Sequence, residues 1–209
     1  YDEGGNGRAR ARVAAMLLLT LRGTPFLYMG DEIGQADGEV PPDRLVDVDG
    51  RDPERTPVQW DASPGAGFST RSTGAPHWGS PDPSVSPWLP VGPEATSVNV
   101  AGQRDDPSSM LSLFRRLIWL RKGSPALHGG AYRSLPDAPG GCYAYVRTAG
   151  DERLLVALNF TGEPLAYPVG EADQGRLELS TDPSRPTGEE LALGPLHLGP
   201  DEGVVVRLA

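Results

Sequence analysis

Gly23-Thr24-Pro25-Phe26-Leu27-Tyr28-Met29-Gly30-Asp31-Glu32-Ile33-Gly34 is the segment from which the architecture is read. Its centre, Pro25 to Met29, is a short apolar and aromatic run between glycines, the pattern of a strand buried on both faces in a parallel sheet. Upstream, Arg8 to Arg22 reads as a helix rich in Ala, Leu, Met and Arg. Val13, Met16, Leu17 and Leu21 share one face, which Ala14, Leu18 and Leu19 widen. Gly23 stops that helix and Pro25 prevents its continuation. A helix followed by a buried strand is half of a βα repeat. Beyond the strand, Asp31 and Glu32 are adjacent carboxylates. Neighbours in an extended chain point to opposite faces, so they make a poor acid/base pair. One of them is expected to take backbone or arginine hydrogen bonds at the strand end.

A long irregular segment follows, roughly Asp31 to Asp106. Loops of that length are functional or disordered, and Trp60, Phe68, Trp78 and Trp88 favour order. Within it lies Gly50-Arg51-Asp52-Pro53-Glu54-Arg55-Thr56-Pro57-Val58-Gln59-Trp60-Asp61, with two arginines four residues apart, three acids, an amide and a tryptophan. It has neither helical nor strand periodicity. Two readings stay open: a loop pinned by ion pairs and buried tryptophans, or a ligand-facing loop. In the second, arginine forks bind hydroxyls or carboxylates and tryptophan faces stack on sugar rings. Asp106-Pro107 then opens a helix, Asp106 as N-cap and Pro107 at the first helical position. Met110, Leu111, Phe114, Leu117 and Ile118 carry its apolar face. Arg115, Arg116, Arg121 and Lys122 fill its last turns, where they suit the helix dipole, and Gly123 and Pro125 end it.

From about Ala126 short β-rich runs alternate with turns: Tyr143 to Arg147, Leu154 to Phe160, Arg176 to Leu179, Leu191 to Leu193 and Val204 to Leu208. This spacing predicts an antiparallel sandwich of seven or eight strands, with the domain boundary near Lys122 to Leu127.

Composition bounds the function. The chain has 209 residues, 38% hydrophobic and 22% charged, as suits a globular protein. A net charge of -9 argues against a nucleic-acid partner. The single cysteine, Cys142, has no internal disulfide partner and reads as a small core residue in a strand. The longest apolar run, Val13 to Leu19, is too short to cross a bilayer, so no membrane association is expected. The chain opens on Tyr1-Asp2-Glu3-Gly4-Gly5 without a methionine, and an incomplete N-terminus is the expectation. His77, His128 and His197 have no metal-ligand spacing. Gly4-Gly5-Asn6-Gly7 follows no strand, so it is not a phosphate loop. Asp43, Asp47, Asp49 and Asp52 lack EF-hand spacing, which leaves only a looser calcium site open. Neither metal nor cofactor is expected.

The segment Gly23 to Gly34 resembles the last-strand motif of glycoside hydrolase family 13, the α-amylase superfamily. Arg51 to Asp61, followed by Ala66-Gly67-Phe68, is similar to the α-glucosidase and oligo-1,6-glucosidase branch, with Val58 where methionine is common. Trehalose synthases share a version of that motif. Pro87-Trp88-Leu89-Pro90, Val98-Asn99-Val100, Gln103, Asp106-Pro107 and Leu120-Arg121-Lys122 keep the branch's order, and Leu158-Asn159-Phe160 lies in a part that resembles its C-terminal domain.

The resemblance implies an α/β plus all-β fold. Residues 1–124 would be the C-terminal quarter of a (β/α)8 TIM barrel, comprising a helix, the eighth strand, its long βα loop and the last helix. Residues 125–209 would be an antiparallel β-sandwich domain. It implies a retaining hydrolase of terminal α-linked glucose in oligosaccharides, working through two carboxylates. Those catalytic residues are expected upstream of Tyr1, since no Asn-His-Asp motif occurs in the chain, and residues 1–209 alone are expected to be inactive. It implies that Arg55 contacts the hydroxyls of the terminal glucose, with Arg51 a second substrate-binding candidate. For Arg51 an ion pair with Asp47, Asp49 or Glu54 ranks ahead of binding. Trp60 is either a packing anchor or a sugar platform. The expected partner is an α-glucoside oligosaccharide and the expected location cytoplasmic. A sugar isomerase or trehalose synthase relative is the alternative, as is a non-catalytic sugar-binding or scaffold protein on the same fold. The intact Arg55-Thr56-Pro57 speaks against the scaffold.

Overall fold

The computed structural model describes residues 7–69 and 87–209. The expectations attached to Tyr1 to Asn6, His77 and Trp78 lie outside the described residues. The chain forms two compact units, Tyr1–Phe26 with Leu113–Ala209, and Leu27–Ser112.

The first unit is organised on antiparallel strands. These are β1 (Ala131–Ser134), β2 (Cys142–Ala149), β3 (Glu152–Asn159), β4 (Leu165–Tyr167), β5 (Gln174–Ser180), β6 (Glu190–Ala192), β7 (Leu196–Leu198) and β8 (Gly203–Leu208). Six form one sheet in the order β1-β2-β3-β8-β5-β6, and β4 pairs with β7 in a second. The five strands read from the sequence are present, and β1, β4 and β7 are added. Leu155, Ala157, Leu177, Val204 and Val206 face a core shared with Tyr167, Leu196 and Leu198 of the small sheet. The alternate residues Leu154, Val156, Leu158 and Val205 are also fully buried, which is why β3 and β8 read as continuous apolar runs. Their cover is α1 (Gly7–Thr20), which packs on β3 and β8, with α4 (Pro125–Gly129) on β2 and β3.

A bulge in β5 adjusts this layering. Leu177 pairs with Val206 but Leu179 pairs with Val205, so two residues of β5 span one of β8. Plain alternation would keep Leu177 and Leu179 on one face. The extra residue, Glu178, sets Leu179 opposite the helix-side Val205 instead.

Helix α1 buries Val13, Met16 and Leu19 against these strands. Gly203 lets this happen, because a Cβ there would come within 3.0 Å of the Met16 sulfur and 2.8 Å of Leu158. The C-terminus of α1 is held by two guanidinium groups. Arg147 donates to the carbonyls of Thr20 (2.6 Å), Gly130 (3.2 Å) and Ala131 (3.3 Å). Arg121 donates to Leu19 (2.8 Å), Leu21 (2.9 Å) and Gly23 (2.5 Å). Arg121 was read as serving its own helix; its charge in fact meets the carbonyl end of α1, where a cation is equally favoured. Thr20 Oγ1 and the Tyr145 hydroxyl, 2.5 Å apart, complete the contact.

Three further expectations change. No ladder forms at Pro25 to Met29, and Phe26 is 84% exposed. A strand exists only by pairing, and no described segment runs beside this one. The helix expected from Asp106 begins later, as α3 (Met110–Gly123). Asp106 Oδ1 takes the Ser108 amide and hydroxyl in a lead-in turn, and Ser109 Oγ accepts from the Ser112 amide as the N-cap. Pro125, expected only to end that helix, also starts α4, which is capped by Ser124. Cys142 is half-buried in β2.

Candidate functional site

In the second unit, Asp31 to Ile33 form a 3-10 turn rather than a strand end. Asp31 accepts the Tyr28 amide at 3.0 Å and Glu32 the Gly30 amide at 2.9 Å. Both carboxylates take the backbone role foreseen for one of them.

Gln35, one turn on, ties this segment to the arginine loop. Its Nε2 donates to the Pro57 carbonyl (3.1 Å), and its Oε1 accepts the Gln59 amide (3.3 Å). The Gly38 amide donates to the Pro53 carbonyl at 2.8 Å. That approach requires glycine, since any Cβ at Gly38 would collide with the Thr56 methyl. Gln59 and Trp60 in turn offer their carbonyls to the amides of Val100 and Ala101, at 2.9 Å each. They meet the start of α2 (Val100–Gln103), which is N-capped by Asn99. Gln103 closes the circuit, donating to the Ile33 carbonyl (2.8 Å) and accepting the Leu111 amide (3.1 Å).

Inside this frame a buried carboxylate organises the arginines. Asp52 is fully buried, and its Oδ2 accepts the amides of Val46 (2.7 Å) and Asp47 (2.9 Å). Asp47 then receives Arg51 in a two-pronged pair, Nε to Oδ2 at 2.6 Å and Nη2 to Oδ1 at 2.8 Å. The Arg51 amide adds a bond of 3.0 Å. Arg51 also reaches Asp49 at 3.0 Å. The hydrogen bond from the Arg51 side chain holds the Asp47 carboxyl well below the usual carboxylate range, and the same bond raises the Arg51 guanidinium. Arg55 ends the short 3-10 turn Pro53–Arg55. Its Nη1 lies 3.4 Å from Asp47 Oδ2, and the side chain is 37% exposed.

Both predicted site residues therefore meet on one carboxylate, with unequal commitment. Arg51 shows the ion pairing ranked first for it. Trp60 is half-exposed although its backbone is fixed by the Ala66 carbonyl at 2.8 Å. Gly67 completes that turn, where a side chain would strike the Asp61 carboxylate. A recess of about 220 Å³ is lined by Tyr28, Met29, Asp31, Gln35, Ala36, Asp37 and Glu54. Among the described residues no group of three or more His, Cys, Asp or Glu is arranged to hold a metal ion. No helix among them is long and apolar enough to cross a membrane. The sequence reading named Asp47 as a partner of Arg51 but missed its pairing with Arg55, and it missed the roles of Asp52 and Gln35. Only the closeness of Asp47 to Arg51 and Arg55 signalled any of them.

A family model described as "Alpha amylase, catalytic domain" matches residues 2–130. The chain belongs to the α-amylase family, glycoside hydrolase family 13, in its α-glucosidase and oligo-1,6-glucosidase branch. It is 31% identical over 188 residues to an oligo-1,6-glucosidase of Parageobacillus thermoglucosidasius, covering 76% of this chain and 31% of that protein. To a probable alpha-glucosidase of Rhizobium meliloti (strain 1021) it is 32% identical over 164 residues, covering 74% and 27%. Among solved structures, the trehalulose synthase MutB from Pseudomonas mesoacidophila MX-45 superposes with a TM-score of 0.79 at 29% identity, covering 95% of this chain and 38% of that one. The chain thus spans about three-tenths of the length of these curated relatives.

Proposed function

We propose that this chain is the carboxy-terminal portion of a retaining α-glucosidase-type glycoside hydrolase acting on terminal α-linked glucose of oligosaccharides. The observation that carries the reading is Arg55. Its backbone is fixed by a hydrogen-bonded loop, yet its guanidinium is 37% exposed and, among the described residues, held by one ion pair of 3.4 Å. A planar fork with free donors can hold two neighbouring hydroxyls and so sense where a sugar chain ends. Arg51, bound to Asp47 and Asp49, is the weaker candidate for sugar contact.

In this reading residues 1–124 close a (β/α)8 barrel and residues 125–209 are its sandwich domain. The exposed apolar run from Phe26 to Met29 supports it, because barrel neighbours would cover those side chains. The nucleophile and the acid/base, which flank the glycosidic bond through an oxocarbenium-like transition state, belong to segments this chain does not contain. Residues 1–209 alone therefore release no glucose. The test is the full-length protein against p-nitrophenyl α-glucoside and isomaltose, beside residues 1–209 as control. Glucose from the full-length protein alone is the expected result; no turnover of any short α-glucoside by it would overturn the reading.

A sugar isomerase is the second reading, favoured by the likeness to a trehalulose synthase. Product analysis with sucrose separates the two: monosaccharides mark hydrolysis and a rearranged disaccharide marks isomerisation.

A further inference from the structure

We propose that Asp47 is a positioning residue, whose carboxylate, locked in place by Arg51, aims the Arg55 guanidinium at the terminal sugar. The proposal rests on the reading of Arg55 given above.

The carboxylate has little freedom. Its own amide is bound to buried Asp52 at 2.9 Å, and its two oxygens receive the Arg51 side chain at 2.6 and 2.8 Å. The Arg51 amide holds Oδ2 from another direction at 3.0 Å. A fork-to-fork pair with this many fixed donors defines the carboxylate plane as well as its position. Arg51 spends its remaining reach on Asp49 and is thereby satisfied by two acids. Arg55 is not: among the described residues Asp47 is its one ion-pair partner, touched through Nη1 alone. The two arginines thus divide the work, with Arg51 fixing Asp47 and Asp47 fixing one corner of Arg55. The other donors of the Arg55 fork stay available for a ligand. Asp47 also offsets the repulsion between two guanidinium groups four residues apart.

Bracing of the loop is the competing account, and a double-mutant cycle separates the two. Asp47→Asn keeps the shape and removes the charge, and Arg55→Ala removes the group being aimed. In the full-length protein, Asp47→Asn should lower kcat/KM for isomaltose by about tenfold, mainly through KM, as expected for lost ground-state and transition-state binding alike. Asp47→Glu should recover part of the loss, and the melting temperature should not move. In the Arg55→Ala background the same Asp47→Asn change should alter kcat/KM by less than about twofold. Equal factors in both backgrounds, or a loss that tracks a falling melting temperature, would overturn the proposal. Should the full-length protein bind α-glucosides without turning them over, the hydrolase reading fails. The same cycle read on Kd by calorimetry, with isomaltose as probe, then decides the positioning role. No binding at all overturns both.

Discussion

Replacing Arg147 tests whether the first unit depends on its guanidinium clamp. The side chain is 0% exposed and faces three carbonyls, with no carboxylate in contact among the described residues. Burial, then repulsion from Arg121, pushes its pKa down, but an arginine stays charged throughout the working range. One bond, to Thr20, is short at 2.6 Å; those to Gly130 and Ala131 are long at 3.2 and 3.3 Å. Counting the first at about 2 kcal/mol and the others at about 1 kcal/mol each gives roughly 4 kcal/mol. Relief of the buried charge offsets some of this, and the orphaned carbonyls add some back. A loss of about 3–4 kcal/mol is therefore expected for Arg147→Met, which keeps the apolar stem. In a protein of this size that lowers the melting temperature by roughly 6–16 °C, read by circular dichroism at low scan rate. Arg147→Lys should recover less than half, because one ammonium cannot reach carbonyls on both α1 and the α4 exit. A shift under about 2 °C for Arg147→Met would refute the reasoning, since the carbonyls would then be satisfied without the guanidinium.

Glu152 gives a pH-dependent case. Burial alone would raise its pKa, but bonds from the Ala126 amide, Ser124 and Arg207 prevail and lower it. A carboxylate depressed in the folded state adds stability that is present above its unfolded pKa, about 4.3, and lost as pH falls through the folded value. Glu152→Gln should be less stable than the parent at pH 7, and the difference should shrink below about pH 4 in parallel urea titrations. For Arg55, Arg55→Ala in the full-length protein should lower kcat/KM roughly ten- to a hundredfold, with Arg55→Lys recovering only part. The loss should shrink for a 4-deoxy substrate, and equal losses on both substrates would reject contact at that hydroxyl. Finally, a protease site inserted at Val48, which is 96% exposed, should leave the α1-bearing peptide bound to the sandwich after cleavage. Separation of the two peptides on gel filtration in native buffer would contradict the packing of α1 on β3 and β8.

The legible parts of this chain were those where one residue pattern has one physical solution. Alternating and continuous apolar runs in β2, β3, β5 and β8 mark strands whatever covers them, and the Met110 to Ile118 spacing marks a helix. What covers an apolar face is not written in that face. Leu154, Val156 and Leu158 show that β3 is buried twice but do not name α1 as the second cover. The Glu178 bulge was hidden because Leu177 and Leu179 have the spacing of a shared face. At the candidate site, Arg55 and Arg51 stood out as an unusual pair in a loop. Asp52 did not, because a buried acid bound to two amides has the same letter as an exposed one. The roles of Arg121 and Arg147 were hidden for a related reason: their partners are backbone carbonyls, which every residue carries.

The contact between α1 and the last strand also has a bearing on biosynthesis. Arg10 of α1 bonds Asp201 across 191 positions of sequence, and Met16 packs on Gly203. At about 5–20 residues per second, a ribosome needs roughly 10–40 s to travel that distance. Through that interval Val13, Met16 and Leu19 are made but the β8 strand they will cover is not. Helix α1 thus waits for its partner strand, and for those seconds its apolar stripe is exposed to chaperones and to self-association.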